Sequence, residues 1–268
     1  MKSFVEQHRP IAVLTGAGVS TASGIPDYRD AQGEWKLSPP MQFQEFIGSE
    51  TARKRYWARS ALARERFQQA KPNTAHVALA DFERLGLING IITQNVDELH
   101  RQAGSECVIN LHGNLRWVVC IDCQAKVDRN EIQTRLLARN PELTDLKASM
   151  LPDGDAKLEG FDFSAIEYPD CQFCGGLLKP DVVFYGESVP RERVQACFEL
   201  LDGAEALLVV GSSLMVYSGF RFARYMHERN KPVAAINQGV TRADGLLTIK
   251  SSEECGALLQ QLLRNLEA

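Results

Sequence analysis

The chain has 268 residues, of which 44% are hydrophobic and 24% are charged. This composition is typical of a globular protein with one large or two small domains, and it excludes disordered, collagen-like and low-complexity chains. Thirty basic residues against 34 acidic residues give a net charge of -4, which is the wrong sign for binding a row of phosphates. We therefore expect no specific nucleic-acid partner.

The sequence shows neither a membrane-span pattern nor a signal-peptide pattern. Its longest apolar run, around residues 206–210, is far shorter than the roughly 18 residues that a membrane helix needs. The first ten residues mix charges with single apolar residues and carry no cleavage site, unlike a secretory signal. We expect a cytoplasmic protein without a membrane partner, whose seven cysteines stay reduced.

Short apolar runs rich in β-branched residues alternate with amphipathic helix patterns along most of the chain. Because the runs are apolar on both faces, they predict buried parallel strands, at residues 11–15, 88–93, 108–111, 182–185, 207–210 and 233–236. Helices are predicted at 74–85, 191–202 and 252–266, the first two closed by glycines. This alternation predicts an α/β fold with a Rossmann-like doubly wound parallel sheet.

Two stretches interrupt the alternation and predict insertions into the sheet domain. Residues 37–73 contain an arginine-rich helix pattern and no strand pattern, so we expect an inserted helical segment there. Residues 115–178 contain two cysteine pairs and a helix candidate near 130–139, which predict a small zinc-binding module. The sheet domain would then be built from residues 1–36, 74–114 and 179–268.

Two Cys-x-x-Cys pairs, Cys120/Cys123 and Cys171/Cys174, lie near the two ends of the predicted module. Two residues between ligands let one tight turn present both sulfurs to a tetrahedral Zn²⁺. No His or Asp nearby suggests an open coordination position, so the pattern favours a closed structural site. The alternatives are four unconnected buried thiols or a redox motif, and the second copy argues against the redox motif.

A glycine-rich turn, GAGVS at residues 16–20, follows the first predicted strand. In a doubly wound fold such a turn brings backbone N–H groups close to a phosphate or a ribose. Thr21 stands where a dinucleotide fingerprint has its third glycine, so a plain strand-to-helix turn is an alternative. The next loop, GIPDYR at residues 24–29, combines a carboxylate, an aromatic ring and a guanidinium, which favours ligand binding.

Polar side chains follow the second and third predicted strands. TQNVD at residues 93–97 comes directly after a buried strand, and His112 ends the next strand run. The carboxyl ends of strands form the ligand edge of an open α/β sheet, where amides and carboxylates can bind ribose hydroxyls or an amide. Asp97 alone could instead cap the next helix. His112 could be a structural histidine or a general base.

Taken in chain order, these segments resemble the sirtuin family of NAD-dependent protein deacylases. The resemblance spans nearly the whole chain and rests on residues 16–20, 24–29, 93–97, His112-Gly113, both cysteine pairs, 182–187, 211–214 and Asn237. Within the family, Tyr28, the KPD sequence at 179–181 and Tyr217-Ser218 resemble the class II branch.

The resemblance implies that the sheet domain binds NAD and that the cysteines hold one structural Zn²⁺. It implies catalytic roles for His112 as general base and for Asn95 and Asp97 at the nicotinamide ribose. Cofactor contacts are expected from Gly16, Ala17, Gly18, Ser20, Asp27, Tyr28, Arg29, Gln94, Asn95, Asp97, Gly211, Ser212, Ser213, Asn237, Gln238, Gly239 and Cys255. Acyl-lysine contacts are expected from Val183, Phe184, Tyr185, Gly186 and Val216.

The implied activity is that of an NAD-dependent protein lysine deacetylase or deacylase, which transfers the acyl group from lysine to ADP-ribose and releases nicotinamide. Its partners would be acyl-lysine protein substrates; the oligomeric state stays open, and a monomer is compatible with the sequence. The alternatives are a protein mono-ADP-ribosyltransferase of the same family and a catalytically weak zinc- and NAD-binding interaction protein.

Tyr56 and Arg59 lie three residues apart in the inserted helical segment and hence share a helix face. A guanidinium and a phenol can together bind a carboxylate, and in this family that spacing resembles a branch that removes negatively charged acyl groups. The stronger interpretation is a solvated basic face with Tyr56 packed into a core, because four further basic residues surround the pair.

Overall fold

The computed structural model of the chain describes residues 1–36, 40–146, 149–150, 156–157 and 161–267. The chain forms two compact units. The first unit comprises residues 1–37, 70–112 and 189–268, and the second comprises residues 38–69 and 113–188. No described helix is both long enough and apolar enough to cross a membrane. The finer three-part division expected from the sequence stays a prediction.

The α-helices of the described residues include counterparts of the helices predicted at residues 74–85, 130–139, 191–202 and 252–266. They are α1 (Lys2–Gln7), α2 (Phe43–Gly48), α3 (Glu50–Gln69), α4 (Thr74–Arg84), α5 (Leu99–Gln102), α6 (Arg129–Arg139), α7 (Arg191–Asp202), α8 (Tyr217–Glu228) and α9 (Cys255–Glu267).

Side-chain capping groups account for where two of these helices, α4 and α9, begin. The Asn73 side chain accepts a hydrogen bond from the Ala75 N–H at 2.9 Å and starts α4. Helix α9 was predicted from residue 252, but it begins at Cys255. The reason is that the Glu254 carboxylate accepts from the Gly256 and Ala257 N–H groups at 2.9 and 2.7 Å, which satisfies donors that the first helical turn leaves free.

The strands of the described residues form a large parallel sheet and smaller antiparallel sheets. They are β1 (Ile11–Thr15), β2 (Ile88–Thr93), β3 (Val108–Asn110), β4 (Gly113–Cys120), β5 (Lys126–Asp128), β6 (Ser149–Met150), β7 (Ala156–Lys157), β8 (Leu178–Val182), β9 (Ala206–Val210), β10 (Val233–Ile236) and β11 (Ile249–Ser251).

The first unit contains a six-stranded sheet in the order β11-β10-β9-β1-β2-β3, with every pairing parallel. The chain first moves from β1 toward β3, and later from β9 toward β11 on the other side of β1. The loops that follow β1 and β9 therefore leave the sheet where its winding direction reverses. This switch point is where doubly wound folds bind their ligands.

Helices cover both faces of this sheet, as a doubly wound fold requires. Ile11 and Val13 of β1 belong to a core that includes residues of α4 and α9, while Ala12 and Leu14 belong to a second core with α7 and α8. All four side chains are fully buried, because successive residues of a strand point to opposite faces. The Rossmann-like α/β fold predicted from the sequence is confirmed.

One predicted strand is wrong. Residues 182–185 were expected in the parallel sheet, but the strand there is β8, which pairs antiparallel with β4 in the second unit. The sixth strand of the large sheet is β11, paired with β10. An apolar run records burial but not its strand partner, and β11 is short and partly exposed, so its pattern gave no signal.

The second unit packs a hydrophobic core between α3, α6 and the β5-β4-β8 sheet. Trp57 and Phe46 are fully buried there, and each large apolar side chain buried this way contributes about 1.5–3 kcal/mol to stability. Tyr56 packs on Phe46 and Phe184 with ring centroids 5.4 and 5.3 Å away. The inserted helical segment thus belongs to a core.

Candidate active site and metal centre

The glycine turn after β1 lies directly against the loop after β9. The Gly18 N–H donates to the Gly211 carbonyl at 2.9 Å. A Cβ on Gly18 would stand 2.9 Å from that oxygen, and a Cβ on Gly16 would stand 2.8 Å from Ser212. Gly211 has φ +59, and its Cβ would stand 2.4 Å from the Val19 nitrogen. Only glycine fits this close backbone approach.

Gln94, at the end of β2, joins these two loops. Its backbone N–H donates to the Thr15 carbonyl at 3.0 Å, and its Nε2 donates to the Ser212 hydroxyl at 2.8 Å. A Cβ on Gly219 of α8 would stand 2.5 Å from the Gln94 Oε1. The ends of β1, β2 and β9 therefore present hydroxyl and amide groups at one edge of the sheet, the donor set that a phosphate and ribose hydroxyls require.

Ser20, Asn95 and Asp97 form a small hydrogen-bond network beside this edge. The Ser20 hydroxyl donates to Asp97 Oδ2 at 2.7 Å and accepts from Asn95 Nδ2 at 3.0 Å. Asp97 Oδ1 accepts from the Leu99 N–H at 3.0 Å, so the capping interpretation of Asp97 also holds. Burial raises the pKa of Asp97, while the hydrogen bonds from Leu99, Ser20 and Asn95 oppose that rise.

Two buried histidines contact residues of this sheet edge, His76 at Ser20 and His100 at Thr15. His76 Nδ1 accepts from the Asn73 N–H at 3.3 Å, so its proton lies on Nε2, which is 3.4 Å from the Ser20 hydroxyl. His100 Nε2 lies 3.0 Å from the Thr15 hydroxyl, which donates to Thr93 at 2.9 Å. Burial lowers the pKa of His76 to about 4 and that of His100 to about 3. Both rings are therefore neutral at pH 7.

His112 follows β3 and has hydrogen bonds at both ring nitrogens. Nδ1 lies 3.1 Å from the Gln94 carbonyl, and because a carbonyl only accepts, Nδ1 carries the proton. Nε2 lies 2.8 Å from the Ser218 hydroxyl and therefore accepts from it. Burial lowers the pKa of His112 to about 4; the hydrogen bond with Gln94 opposes this change, and the charges of Arg221 and Arg193 reinforce it. The result is a neutral imidazole with an available lone pair.

The loop of residues 24–36 folds on itself as an irregular hairpin. The Tyr28 carbonyl accepts from the Lys36 N–H at 3.0 Å, and Asp27 pairs with the Lys36 ammonium. Arg29 donates to the Gly33 carbonyl at 2.6 Å and stacks on the Trp35 ring at 3.8 Å. The three side chains singled out in the sequence thus lie in one ordered loop of the first unit.

The loop after β10 and the start of α9 provide further first-unit groups expected to contact the cofactor. Asn237 Nδ2 donates to the Gly239 carbonyl at 2.9 Å, and a Cβ on Gly239 would stand 2.6 Å from the Ala31 carbonyl. Gln238 lies between them in the chain. The Cys255 thiol is buried and donates to the Ile236 carbonyl at 3.7 Å, and burial raises its pKa to about 11. This thiol is therefore unreactive.

The expected acyl-lysine residues lie in both units. Val216 precedes α8 in the first unit. Val183, Phe184, Tyr185 and Gly186 follow β8 in the second unit, where the Tyr185 carbonyl accepts from the Phe43 N–H at 2.8 Å. Glu187 holds this segment, because its carboxylate accepts from the Phe184 N–H at 2.9 Å. Arg59 is partly buried on α3, whereas Tyr56 is buried in the core.

The four cysteines of the predicted zinc site come together in the second unit. Their sulfurs all lie within 4.8 Å of one another. The Sγ distances are 3.5 Å for Cys120 to Cys174 and 3.7 Å for Cys123 to Cys171. A tetrahedral Zn²⁺ with Zn–S bonds of about 2.3 Å needs sulfurs about 3.8 Å apart. The cluster therefore fits one closed, structural zinc ion with no open position.

Sequence reasoning missed three residues of this site. His76, His100 and Ser218 are not among the site residues expected from the sequence, although Ser218 belongs to the Tyr217-Ser218 pair that resembles the class II branch. Their only sequence signal is a polar residue inside an apolar helix pattern, and that signal names no partner. The partners lie 56, 85 and 106 residues away in the chain.

Comparisons with known proteins agree with this geometry. The model of the Sir2 family matches residues 16–218. NAD-dependent protein deacetylase 2 of Bradyrhizobium diazoefficiens is 54% identical over 263 residues, covering 98% of this chain and 96% of that protein. An NAD-dependent protein deacetylase of Xanthomonas campestris is 52% identical over 264 residues, covering 97% of this chain and 90% of that protein.

Solved structures give the same result. A structure described as Sir2 with a p53 peptide and NAD+ has a TM-score of 0.75 and 28% identity, covering 99% of this chain and 96% of that chain. A structure of Sir2 bound to an acetylated peptide has a TM-score of 0.76 and 29% identity, with the same coverage. The class II branch stays a prediction. The chain belongs to the Sir2 family, as its motifs predicted.

Proposed function

We propose that the chain is an NAD-dependent protein lysine deacetylase or deacylase, which transfers the acyl group from lysine to ADP-ribose and releases nicotinamide. The observation that carries this proposal is the neutral His112, with its lone pair on Nε2 and with Asn95, Asp97 and Ser20 in a network at the same sheet edge. Relatives at about half identity carry the name NAD-dependent protein deacetylase.

NAD would be held by the groups at the switch point of the sheet, in the loops after β1 and β9 and in the neighbouring loops. Gly16, Ala17, Gly18, Ser212 and Ser213 would contact the pyrophosphate and its ribose, because their backbone approaches closely and their hydroxyls donate. Asn237, Gln238, Gly239 and the Cys255 backbone would hold the adenosine end, and residues 27–29 would close over the cofactor. When bound, NAD supplies the ADP-ribosyl group that receives the acyl group.

Asn95 and Asp97 would bind the amide group of nicotinamide and the ribose attached to the nicotinamide ring. Ser20 fixes both side chains by donating to Asp97 and accepting from Asn95. Because the one Ser20 proton is used on Asp97, the Asn95 amide must present its Nδ2 to Ser20. Its Oδ1 is then directed away from Ser20, as an acceptor. An amide acceptor and a carboxylate at fixed positions are suited to an amide-bearing ring.

His112 would act as the general base toward a ribose hydroxyl. Its Nδ1–H is held by the Gln94 carbonyl, so the ring keeps its orientation. Its Nε2 accepts a hydrogen bond from the Ser218 hydroxyl in this structure, and a substrate hydroxyl would take the place of Ser218. General-base catalysis by a positioned side chain typically contributes about 10²- to 10⁴-fold in rate.

The acyl-lysine contacts that we propose are Val183, Phe184, Tyr185 and Gly186, together with Val216. Apolar side chains suit a neutral acyl chain, since they exclude water from the reacting bond. We assign Tyr56 to the core, because its ring packs on two phenylalanines. Of the Tyr56–Arg59 pair, Arg59 is kept as a candidate for binding the carboxylate of an acidic acyl group, and the solvated basic face stays the stronger interpretation.

Cys120, Cys123, Cys171 and Cys174 would hold one zinc ion that stabilises the second unit without taking part in the reaction. All seven cysteines are free of disulfides, which supports placing this activity in the reducing cytoplasm. The partners would be acyl-lysine proteins. We propose no nucleic-acid or membrane partner, and a monomer satisfies every role assigned above.

Mass spectrometry tests the proposed function. The protein is incubated with NAD and one lysine peptide bearing acetyl, propionyl, succinyl or no acyl group. We expect stoichiometric formation of free lysine peptide, nicotinamide and acylated ADP-ribose for at least one acyl group. ADP-ribose attached to the protein or peptide would instead identify a mono-ADP-ribosyltransferase, and no turnover would leave a binding protein.

A further inference from the structure

Three arginines surround one exposed phenol at the start of α8. The guanidinium carbons of Arg221, Arg224 and Arg242 lie 5.6, 5.6 and 5.8 Å from the centre of the Tyr217 ring. Tyr217 is 46% exposed, and Arg224 and Arg242 are exposed beside it, whereas Arg221 is partly buried. We call these four residues the Tyr217 cluster.

The positive charge of the Tyr217 cluster is largely uncompensated. Among the described residues, Arg224 pairs with Glu228 at 3.3 Å, and both side chains are about half exposed, so this pair is weak. Arg221 and Arg242 form no ion pair with a described residue, and the nearby Asp244 is bound to Lys250. No two of the three guanidinium carbons are more than about 12 Å apart, close to the Debye length, so their fields add.

The Tyr217 cluster also borders the candidate active site within the first unit. Ser218, the next residue after Tyr217, bonds to Nε2 of His112 at 2.8 Å. The Arg242 guanidinium donates to the Met215 carbonyl at 3.2 Å, one residue before Val216. The Tyr217 cluster is therefore next in the chain to a direct contact of His112 and to Val216, an expected acyl-lysine contact. Such a positive surface is a local exception in a chain whose net charge is -4.

We propose that the Tyr217 cluster is a docking surface for acidic side chains that flank the acyl-lysine in the protein substrate. This inference rests on the proposed deacylase function and specifies the substrate class of that site. Guanidinium groups bind carboxylates through two parallel hydrogen bonds, and adjacent like charges are stabilised when an anion binds among them. Charge complementarity of this kind mainly raises the association rate and the specificity.

Steady-state kinetics with matched peptides tests the proposal. Two acetyl-lysine peptides differ only in carrying Asp and Glu, or Asn and Gln, at the positions flanking the lysine. We expect kcat/KM to favour the acidic peptide by about 3- to 10-fold at low salt, with the preference shrinking at high salt. The double variant Arg224→Gln/Arg242→Gln should lose the preference and keep its rate on the neutral peptide.

Two control variants separate docking from general charge. Arg229→Gln removes the same charge just after α8, where Arg229 lies over the Tyr225 ring, twelve residues or about 18 Å of helix from Tyr217. It should keep the preference, and Arg224→Lys/Arg242→Lys should keep most of it. Equal kcat/KM for the two peptides in the unaltered protein would overturn the proposal, as would an equal loss in Arg229→Gln.

The experiment also distinguishes failure of this inference from failure of the proposed function. If the unaltered protein deacetylates both peptides equally well, the proposed function stands and the docking surface is wrong. If it turns over neither peptide, nor the same pair carrying the propionyl or succinyl group, the proposed function fails. In that case fluorescence anisotropy of the labelled peptides still decides the docking question: tighter binding of the acidic peptide, lost in Arg224→Gln/Arg242→Gln, supports the surface, and equal binding overturns it.

Discussion

At the scale of single residues, His112 shows how hydrogen bonding and burial together determine chemical character. The Gln94 carbonyl holds the proton on Nδ1, which leaves Nε2 as an acceptor. Burial lowers the pKa of the ring to about 4, so the base is in its working, neutral form throughout the physiological range. The sequence identified the histidine but neither its tautomer nor its environment.

Replacing His112 by Ala should remove the reaction and spare cofactor binding. The groups expected to bind NAD lie on other loops, whereas the proton acceptor is lost. We expect kcat/KM for deacylation to fall by about 10²-fold or more, while the Kd for NAD measured by calorimetry changes less than threefold. Ser218→Ala is the matched control, and it should lose only a few-fold. An active His112→Ala variant would refute the assignment.

The pH dependence of kcat/KM should reflect the low pKa of His112. The base works when neutral, so activity is lost only as the pH falls through about 4. An imidazole with the ordinary pKa of about 6.5 would be about 90% protonated at pH 5.5. We therefore expect the protein to keep most of its kcat/KM at pH 5.5, with folding confirmed by circular dichroism. A half-point near 6.5 would contradict the neutral buried histidine.

At the scale of elements, the loops after β1 and β9 need glycines because two backbones meet there. Gly211 has a positive φ, and a Cβ would strike the Val19 nitrogen. Gly48, at the end of α2, has no atom within 4 Å of a Cβ position. Both residues are glycine, but only the Gly211 position lacks room for a Cβ.

Gly211→Ala should destabilise the protein by about 1–3 kcal/mol and weaken NAD binding by at least tenfold, because the loop must shift. Gly48→Ala should leave NAD binding unchanged and the free energy of unfolding the same or up to about 1 kcal/mol higher. Urea unfolding and calorimetry measure both effects. Equal behaviour of the two variants would show that the close approach is not required.

The histidines of α4 and α5 make the stability of the protein depend on pH. The His76 and His100 rings lie 4.8 Å apart, and both are buried. The unfolded chain takes up protons near pH 6.5, whereas the folded chain does so only near pH 4 and 3. In that window the unfolded state binds more protons, so stability falls as the pH falls.

His100→Gln should therefore flatten the acid dependence of stability. As the pH falls from 6.5 to the pKa of the folded state, each buried histidine lowers the free energy of unfolding by up to about 1.4 kcal/mol per pH unit. Between pH 6 and 4.5 we expect the free energy of unfolding to fall less steeply in the variant than in the unaltered protein, by up to about 1.4 kcal/mol per pH unit. Urea unfolding measures this slope. His227→Gln, at an exposed position of α8, should keep the original slope. Identical slopes in all three proteins would exclude the histidine contribution.

At the scale of the whole molecule, the chain leaves the first unit and returns to it twice. The second unit combines an aromatic core with a four-cysteine cluster joining β4 to the turn before β8. Metal ligands rarely form a site in the unfolded chain, so metal binding and folding are coupled. The zinc ion is thus expected to act on the stability of that unit.

Cys171→Ser should abolish stoichiometric zinc and destabilise the second unit. We expect elemental analysis to find about one zinc per chain in the unaltered protein and less than about 0.2 in the variant, because three thiolates bind far more weakly. Limited proteolysis should then cut within residues 113–188. Cys107→Ser, outside the cluster, should keep its zinc. A zinc-free protein that resists proteolysis as well as the unaltered chain would contradict this role.

Local patterns were sufficient for much of this protein. Apolar runs located β1, β2 and β10, periodicity and a closing glycine located α4 and α7, and cysteine spacing located the metal cluster. Each of these signals lies in residues a few positions apart. The period of the apolar residues indicates whether a segment forms a helix or a strand and which of its faces is buried. Family motifs added the expected site residues.

The tertiary structure alone decided which strands pair and which distant side chains meet. The apolar pattern of residues 182–185 is compatible with a strand in either unit. Only the tertiary packing pairs β8 with β4 in the antiparallel sheet. Ser218 reaches His112 across 106 residues of chain, and Arg242 joins α8 at the Tyr217 ring. Such contacts depend on the order of strands in the sheet, which a single sequence does not state because hydrophobic burial is non-directional.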